Sequence, residues 1–385
     1  MPVPNDSLSL YIHIPWCLHK CGYCDFNSHA TAANAFPEDD YVTALIADLM
    51  LGKDELQGRS VQSIFIGGGT PSLFSAAAIS KILNACQQQL NLSSDCEITL
   101  ETNPGTFEAE KFAGFKLAGV NRLSIGVQSF DPEQLKKLER IHGRDEALHT
   151  VRTAQQLGFE NINIDLMFAL PGQTLAQALD DVAQACALAL PHLSYYQLTI
   201  EPNTRFHRFP PVIPSLDEAA DIQAAAMSAI SAAGYTRYEV SAFSKIGAQC
   251  RHNLNYWQFG DYLGIGAGAH SKLTVDQESK RFQRVRQPSS YLLAVKEQTQ
   301  VIQLRTLGSN DLIFEFMLNQ LRLRRGFSAA DFAQRTHLNW QDIAIQVERL
   351  LALGHLEQSE GRYFASEHAY RFLDSLLQEF LVETP

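Results

Sequence analysis

Residues 7–14, SLSLYIHI, alternate polar and apolar side chains at the two-residue period of a strand. Apolar, β-branched stretches recur at 61–69 (VQSIFIGGG), 95–102 (DCEITLET), 121–129 (NRLSIGVQS), 161–168 (NINIDLMF) and 193–200 (LSYYQLTI). Helix-like segments separate them at 41–56, 76–90, 108–120, 132–138 with 145–157, and 175–190. Strands alternating with such helices predict parallel βαβ units in an α/β fold. Six units suit either a doubly wound sheet or a β/α barrel. The polar residues decide between them. They fall after one strand end after another: the cysteine loop, GGGT, ETNPG, VQSF, and Asp165 within NIDL. Several strand ends converging on one site is barrel behaviour, whereas an open sheet collects its ligands at one switch point. A partial (β/α)6 barrel is therefore expected.

The rhythm changes after residue 200. A proline-rich excursion, 201–218, leads to a helix at 217–233, a strand YTRYEVSAF (235–243), and then RHNLNYWQFGDYLGIGAGAHS (251–271). From about 308 the pattern is three helices followed by GHLEQSEGRYFAS. The last piece reads as a two-strand wing after a recognition-type helix (340–353). The expected organisation is a barrel over 1–235, a barrel-completing region over 236–305, and a small, mainly helical, winged-helix-like domain over 306–385.

The chain has 385 residues, 45% of them hydrophobic, enough for a sizeable core. It contains no apolar run long enough to cross a membrane. Its N-terminus lacks a basic flank and an apolar segment, so no export signal is expected. A formal net charge of −11 argues against broad electrostatic binding of nucleic acid. RLRRGF, with Arg322, Arg324 and Arg325, reads as a solvated helix end.

Seven cysteines, mostly unclustered, do not form a disulfide framework, and a reducing cytoplasm is the expected setting. Three of them, Cys17, Cys21 and Cys24, crowd into a Cys-x3-Cys-x2-Cys loop after the first strand. Thiolates at that spacing suit an iron–sulfur cluster or zinc. A closed zinc site would need a fourth ligand from His13, His19, His29 or Asp25. A cluster would leave one iron open to a small molecule. Cys86, Cys96 and Cys186 read as core residues. In LGIGAGAHS the glycines at 264, 266 and 268 and His270 lack a full dinucleotide fingerprint, so close backbone packing is expected there.

With Tyr23 before the third cysteine, this loop resembles the signature of the radical S-adenosylmethionine (SAM) superfamily. GGGTP (67–71), ETNPG (101–105), GVQSF (126–130) and NIDLMFALPGQT (163–174) follow in the superfamily's order. The chain is similar to the branch containing oxygen-independent coproporphyrinogen III oxidase and a group of haem chaperones. That resemblance implies a 4Fe–4S cluster on Cys17, Cys21 and Cys24, with SAM on the fourth iron. It implies SAM contacts from Tyr11, Tyr23, Gly68, Gly69, Thr70, Glu101, Gln128, Arg140 and Asp165. Glu101 would meet the ribose hydroxyls and Arg140 the SAM carboxylate.

The oxidase pattern carries a further cysteine two residues after the third ligand, where this chain has Phe26 in CDFNSH. The oxidase also carries an N-terminal extension, against sixteen residues before Cys17 here. RHNLNYW (251–257) is similar to the chaperones' His-Asn-x-x-Tyr-Trp motif, at His252, Asn253, Tyr256 and Trp257. The resemblance to that branch implies haem as cargo, with His252 handling haem; from the residues alone His252 suits a core hydrogen bond, Arg251 a surface charge or a propionate partner, and Cys250 is a second candidate for contact with haem iron. It implies delivery to haem proteins such as respiratory-chain subunits or bacterioferritin, and a homodimer. Membrane contact would come only through an acceptor. The alternative is a radical SAM oxidase acting on a porphyrinogen.

Overall fold

The computed structural model describes residues 7–32, 35–105 and 108–381. Six strands carry the barrel: β1 (Ser7–Ile14), β2 (Ser60–Gly68), β3 (Asn91–Thr102), β4 (Arg122–Gln128), β5 (Asn161–Phe168) and β6 (His192–Gln197). They pair in parallel and in chain order, β1 to β6. The connecting helices are α1 (Glu38–Gly52), α2 (Ala76–Gln89), α3 (Glu108–Leu117), α4 (Pro132–Lys137), α5 (Arg144–Gln156) and α6 (Leu175–Ala187). Their starts are written locally. The Ser75 hydroxyl accepts the Ala78 N–H, and Thr174 and Gln177 form a reciprocal box at the head of α6.

Two expectations change. A seventh parallel strand, β7 (Asp261–Ile265), pairs with β1 on the side away from β2. It is drawn from the glycine-rich segment expected only to pack closely. The stretch 235–243 is not one strand. It is a tight hairpin of Thr236–Arg237 and Ala242–Ser244, antiparallel to β6 at the opposite edge. His270–Val275, Glu278–Arg284 and Val301–Thr306 extend the β7 side as antiparallel strands. The barrel is therefore partial, with a mixed twelve-stranded sheet.

Outward-facing strand residues such as Leu10, Ile64, Leu100, Ile125 and Ile164 join the helices in one core. Inward residues alternate with them and are mostly polar. Helix Arg251–Trp257 lies against β1, β2 and β7 and packs its rings into the base of the barrel. The C-terminal helices Ser309–Gln320, Ala329–Thr336 and Gln341–Ala352 and the wing Leu356–Ser359/Arg362–Ala365 build a separate core around Phe316, Phe332 and Val347. This unit docks under the base. The Arg322 guanidinium lies 4.2 Å over Trp257 and 3.1 Å from buried Glu239, and Arg324 pairs with Glu367. Arg322 thus ties the unit to the base, whereas Arg324 and Arg325 are exposed, as expected of a solvated helix end.

One buried ion pair braces the β7 side. Asp48 of α1 is fully buried and meets Arg284 at 3.0 Å, while also accepting from the Tyr291 hydroxyl and the Gly266 N–H. Removing one partner strands the other charge away from water. Asp48→Ala is expected to cost about 3–5 kcal/mol in urea unfolding. Lys81→Ala, which breaks the exposed Lys81–Asp39 pair, is expected to cost under about 1 kcal/mol. Equal effects would contradict the assignment.

Candidate functional site

The cysteine loop leaves β1 and closes over the C-terminal ends of the strands. Cys17, Cys21 and Cys24 line one cavity of about 370 Å³ with residues from β2 to β6. Each sulfur has a polar neighbour. Thr70 Oγ1 is 3.5 Å from Cys17 Sγ, Arg140 Nη1 is 3.6 Å from Cys21 Sγ, and Ser28 Oγ is 3.7 Å from Cys24 Sγ. Among the described residues, no three His, Cys, Asp or Glu side chains gather tightly enough for a single metal ion. Three thiols around a shared cavity, each with a hydrogen-bond donor, fit a multi-iron cluster better than one zinc. His13, one of the fourth-ligand candidates for zinc, is occupied elsewhere.

Backbone packing sets the loop. Gly69 N–H donates to Ile14 O and Thr70 N–H to Trp16 O. A Cβ on Gly69 would come within 2.5 Å of Trp16 O. Gly68 has φ +115°, and a Cβ there would meet the His13 ring at 2.5 Å. These glycines serve the close approach of β2 to the cysteine loop, and they also line the cavity. Inside the loop, Lys20 Nζ donates to Phe26 O and Ser28 O. Asn27 Nδ2 donates to Ala267 O and Arg286 O, both at 2.9 Å, fastening the loop to the β7 side.

The strand ends supply the rest. Glu101 of β3 accepts the Gly68 N–H at 3.0 Å. Burial, reinforced by Asp165, raises its pKa to about 7. Asp165 lies mid-strand in β5, not after a strand end, and accepts from Ser124 and Asn163. Burial raises its pKa too. Gln128 ends β4 with φ +70°, beside a break in strand register, and this turns its amide into the cavity. Its Oε1 accepts the Tyr196 hydroxyl at 2.8 Å. Arg140 Nη2 donates to Asn103 Oδ1 and Gly126 O, both at 2.6 Å, while its buried Nε has no partner. Asn103 in turn donates to Thr70 Oγ1. Tyr23 sits under the loop against Phe206 and lines the cavity. Phe26 is 59% exposed at the mouth.

Eleven of the thirteen sequence-predicted site residues share this cavity with Phe26: Cys17, Cys21 and Cys24 with Tyr23, Gly68, Gly69, Thr70, Glu101, Gln128, Arg140 and Asp165. Tyr11 does not line it. Its hydroxyl donates to His13 Nδ1, and His13 Nε2–H donates to Asn27 O, so Tyr11 supports the loop from one layer deeper. Burial lowers the His13 pKa to about 4, which keeps that neutral arrangement. His252 lies elsewhere. It is 4% exposed, its Nδ1 is 3.2 Å from Ser63 Oγ, and its ring stacks on Phe65 at the barrel base. It does not line the cysteine-loop cavity. Cys250 is fully buried against Glu97, and Arg251 pairs with Asp95. The reading of single residues passed over Asn27, Asn103 and Tyr196. Asn103 sat inside the quoted ETNPG and Asn27 inside CDFNSH, but nothing in the sequence reveals which strand end they reach.

The profile of the radical SAM superfamily matches residues 11–185, and that of the HemN C-terminal domain matches 307–372. The haem chaperone HemW of Escherichia coli K12 is 48% identical over 377 residues, 98% of each chain. The chain belongs to the HemW family of radical SAM proteins. HemW of Haemophilus influenzae is 45% identical over 381 residues, again 98% of each chain. HemW of Bacillus subtilis is 40% identical over 267 residues, 68% of this chain and 70% of that one. The solved coproporphyrinogen III oxidase HemN of Escherichia coli superposes with a TM-score of 0.83 at 23% identity, covering 98% of this chain and 90% of that chain. At that identity the likeness speaks for the fold, an α/β radical SAM barrel with a helical C-terminal region. The superfamily implies a 4Fe–4S cluster and SAM, which the three-thiol cavity fits. No helix among the described residues is long and apolar enough to cross a membrane.

The raised pKa of Glu101 has a measurable consequence. Between about 4.5 and about 7 the folded protein holds a proton that the unfolded chain releases. Glu101 therefore contributes a loss of stability as pH rises through that window, opposite in sign to the contribution of the buried histidines His13, His142 and His252, whose pKa values burial lowers. Glu101→Gln is expected to remove that contribution, so that its urea midpoint gains on that of the wild type as pH rises from about 4.5 to about 7. An unchanged slope would show that the proton is held elsewhere.

Proposed function

We propose that this protein is a haem chaperone on a radical SAM scaffold, which binds a 4Fe–4S cluster, SAM and haem and hands haem to haem proteins. The observation that carries this reading is identity with HemW along 98% of both chains, 48% in the nearer of the two full-length relatives described above. The oxidase HemN offers likeness of fold alone. Phe26 agrees with the chaperone reading. An exposed phenyl ring at the cavity mouth stands where the oxidase pattern has a thiol.

Cys17, Cys21 and Cys24 would hold the cluster, and the donors from Thr70, Arg140 and Ser28 would stabilise charge on sulfur. SAM would lie across the strand ends, its ribose hydroxyls at Glu101 and its remaining polar groups within reach of Gln128, Asp165 and the free Nε of Arg140. Tyr23 would cover the cluster from below. Cluster and SAM together supply one-electron chemistry when bound. The chain's own residues order the loop, exclude water and fix the nucleoside. We place the protein where thiols stay reduced, in the cytoplasm, with acceptors such as respiratory-chain subunits or bacterioferritin, and as a homodimer.

Three experiments test this. Alanine at Cys17, Cys21 and Cys24 is expected to abolish the brown absorbance and the bound iron and sulfide; a surviving cluster would refute the ligand set. Protein reconstituted without oxygen, with reductant and SAM, is then given haem or coproporphyrinogen III. Tight haem binding, transfer to an apo haem protein and no decarboxylated product are expected. Protoporphyrinogen formed at enzymatic rate would overturn the chaperone reading. In the same protein, Glu101→Gln is expected to weaken SAM binding by roughly 10- to 100-fold, the loss of hydrogen bonds to a charged acceptor.

A further inference from the structure

Asp181 of α6 does not line the cofactor cavity, yet it is 1% exposed, whereas its neighbour Asp180 faces solvent. Burying a carboxylate is unfavourable unless it is paired and hydrogen-bonded. The partners of Asp181 are a hydroxyl and a backbone amide rather than a cation. The Ser129 hydroxyl donates to Oδ2 and the Phe130 N–H to Oδ1, both at 2.6 Å. Burial pushes its pKa up to about 6.

Those two bonds hold the turn that follows β4. Gln128 comes directly before Ser129 and has φ +70°. That left-handed conformation is uncommon for a residue with a side chain, and it persists only where the surroundings impose it. The register of β4 against β5 breaks at the same point. Asp181 fixes the next two residues directly. Ser129 Oγ in turn accepts the Asp131 N–H at 3.0 Å, and Asp131 Oδ1 accepts the N–H groups of Glu133 and Gln134 at the head of α4. Gln177, one turn before Asp181 on the same face of α6, donates from Nε2 to Asp131 Oδ2 at 2.8 Å. Two side chains of α6 therefore grip the turn from outside the barrel. On the inside, Gln128 lines the cavity with its Oε1 committed to the Tyr196 hydroxyl, so its amide nitrogen is the group left to meet a ligand.

We propose that Asp181 is a positioning residue for the nucleoside site: by anchoring Ser129 and Phe130 it keeps Gln128 in its left-handed conformation, with the amide turned towards SAM. The inference rests on the SAM reading of the cavity and adds to it a residue that touches no ligand. Without the carboxylate, the Phe130 N–H is stranded away from water and the Ser129 hydroxyl loses its acceptor. Gln128 then relaxes towards extended backbone, and its amide leaves the cavity. Cluster ligation is unaffected, because the donors to the three sulfurs come from Thr70, Arg140 and Ser28.

The test is SAM binding to the cluster-loaded protein by equilibrium dialysis, with iron and sulfide content confirming the cluster in each variant. The variants are Asp181→Ala, Ser129→Ala, Gln128→Ala, and each of the first two combined with Gln128→Ala. Asp181→Ala is expected to bind SAM about tenfold more weakly, and Ser129→Ala, which leaves Phe130 anchored, about threefold more weakly. In the Gln128→Ala background each is expected to add less than about twofold, because the residue they position has lost its amide. A merely structural role would weaken binding equally in both backgrounds, and that result would overturn the inference. Wild-type affinity in both Asp181→Ala and Ser129→Ala would overturn it too. If Asp181→Ala does not fold, Ser129→Ala carries the same comparison. Failure of the cluster-loaded wild type to bind SAM would overturn the SAM reading itself, and this inference with it.

Discussion

A single hydroxyl holds the entry to the site together. Tyr41 of α1 donates to His13 O at the end of β1 and accepts the Ala267 N–H after β7, at 2.9 and 2.8 Å. It thereby joins the first and last parallel strands where the cysteine loop must pass between them. Asn27 completes the clasp from the loop side by bonding Ala267 O and Arg286 O. The buried Asp48–Arg284 pair stiffens the same corner from behind. Three thiols can share one cavity because this corner fixes both ends of the loop that carries them. Residues more than two hundred positions apart in sequence set the cofactor pocket, so the C-terminal third of the chain is part of the site's foundation.

The barrel interior is divided along its axis. Towards the C-terminal strand ends, Glu101, Gln128, Asp165 and Arg140 face an open cavity. At the base, Glu97, Arg122, His192 and His252 are buried, and helix Arg251–Trp257 closes them off. Glu97 accepts from the Arg251 N–H at 2.9 Å, and His192 bridges Asn163 and the Tyr238 hydroxyl. Buried donors without a partner occur at both ends, Arg140 Nε at the top and Arg122 Nε and Trp257 Nε1 at the base. The open cavity at the C-terminal strand ends places the candidate ligand site at the top of the barrel. The C-terminal domain docks on the closed end.

Much of this was legible in the chain. The six barrel strands follow from two-residue and helical periodicities, and the cysteine loop, ETNPG and VQSF could be placed at strand ends, while singling out Glu101 and Gln128 took the resemblance to the superfamily. What was not legible depends on long-range pairing. Nothing in GDYLGIGAG announces that it joins β1, because its partner lies some 250 positions earlier. YTRYEVSAF carries strand-forming residues throughout, yet Arg237 turns back to the carbonyls of Glu239 and Val240 and forces a hairpin. A haem role for His252 came from resemblance to the chaperone branch, while its residue type alone suited a core hydrogen bond. Its stacking on Phe65 and its bond to Ser63 depend on a helix entering the barrel, which no local pattern reveals. Asn27 and Asn103 matter for what they bridge, and sequence shows only that they are polar.

The central claim is that Cys17, Cys21 and Cys24 hold a cluster with one iron open to SAM. The most direct measurement is the electron paramagnetic resonance spectrum of the reduced, reconstituted protein with and without SAM. The account predicts a 4Fe–4S signal whose g-values shift on adding SAM, and which is absent when the three cysteines are replaced. A cluster signal that SAM leaves unchanged, or that survives the loss of those cysteines, would contradict it.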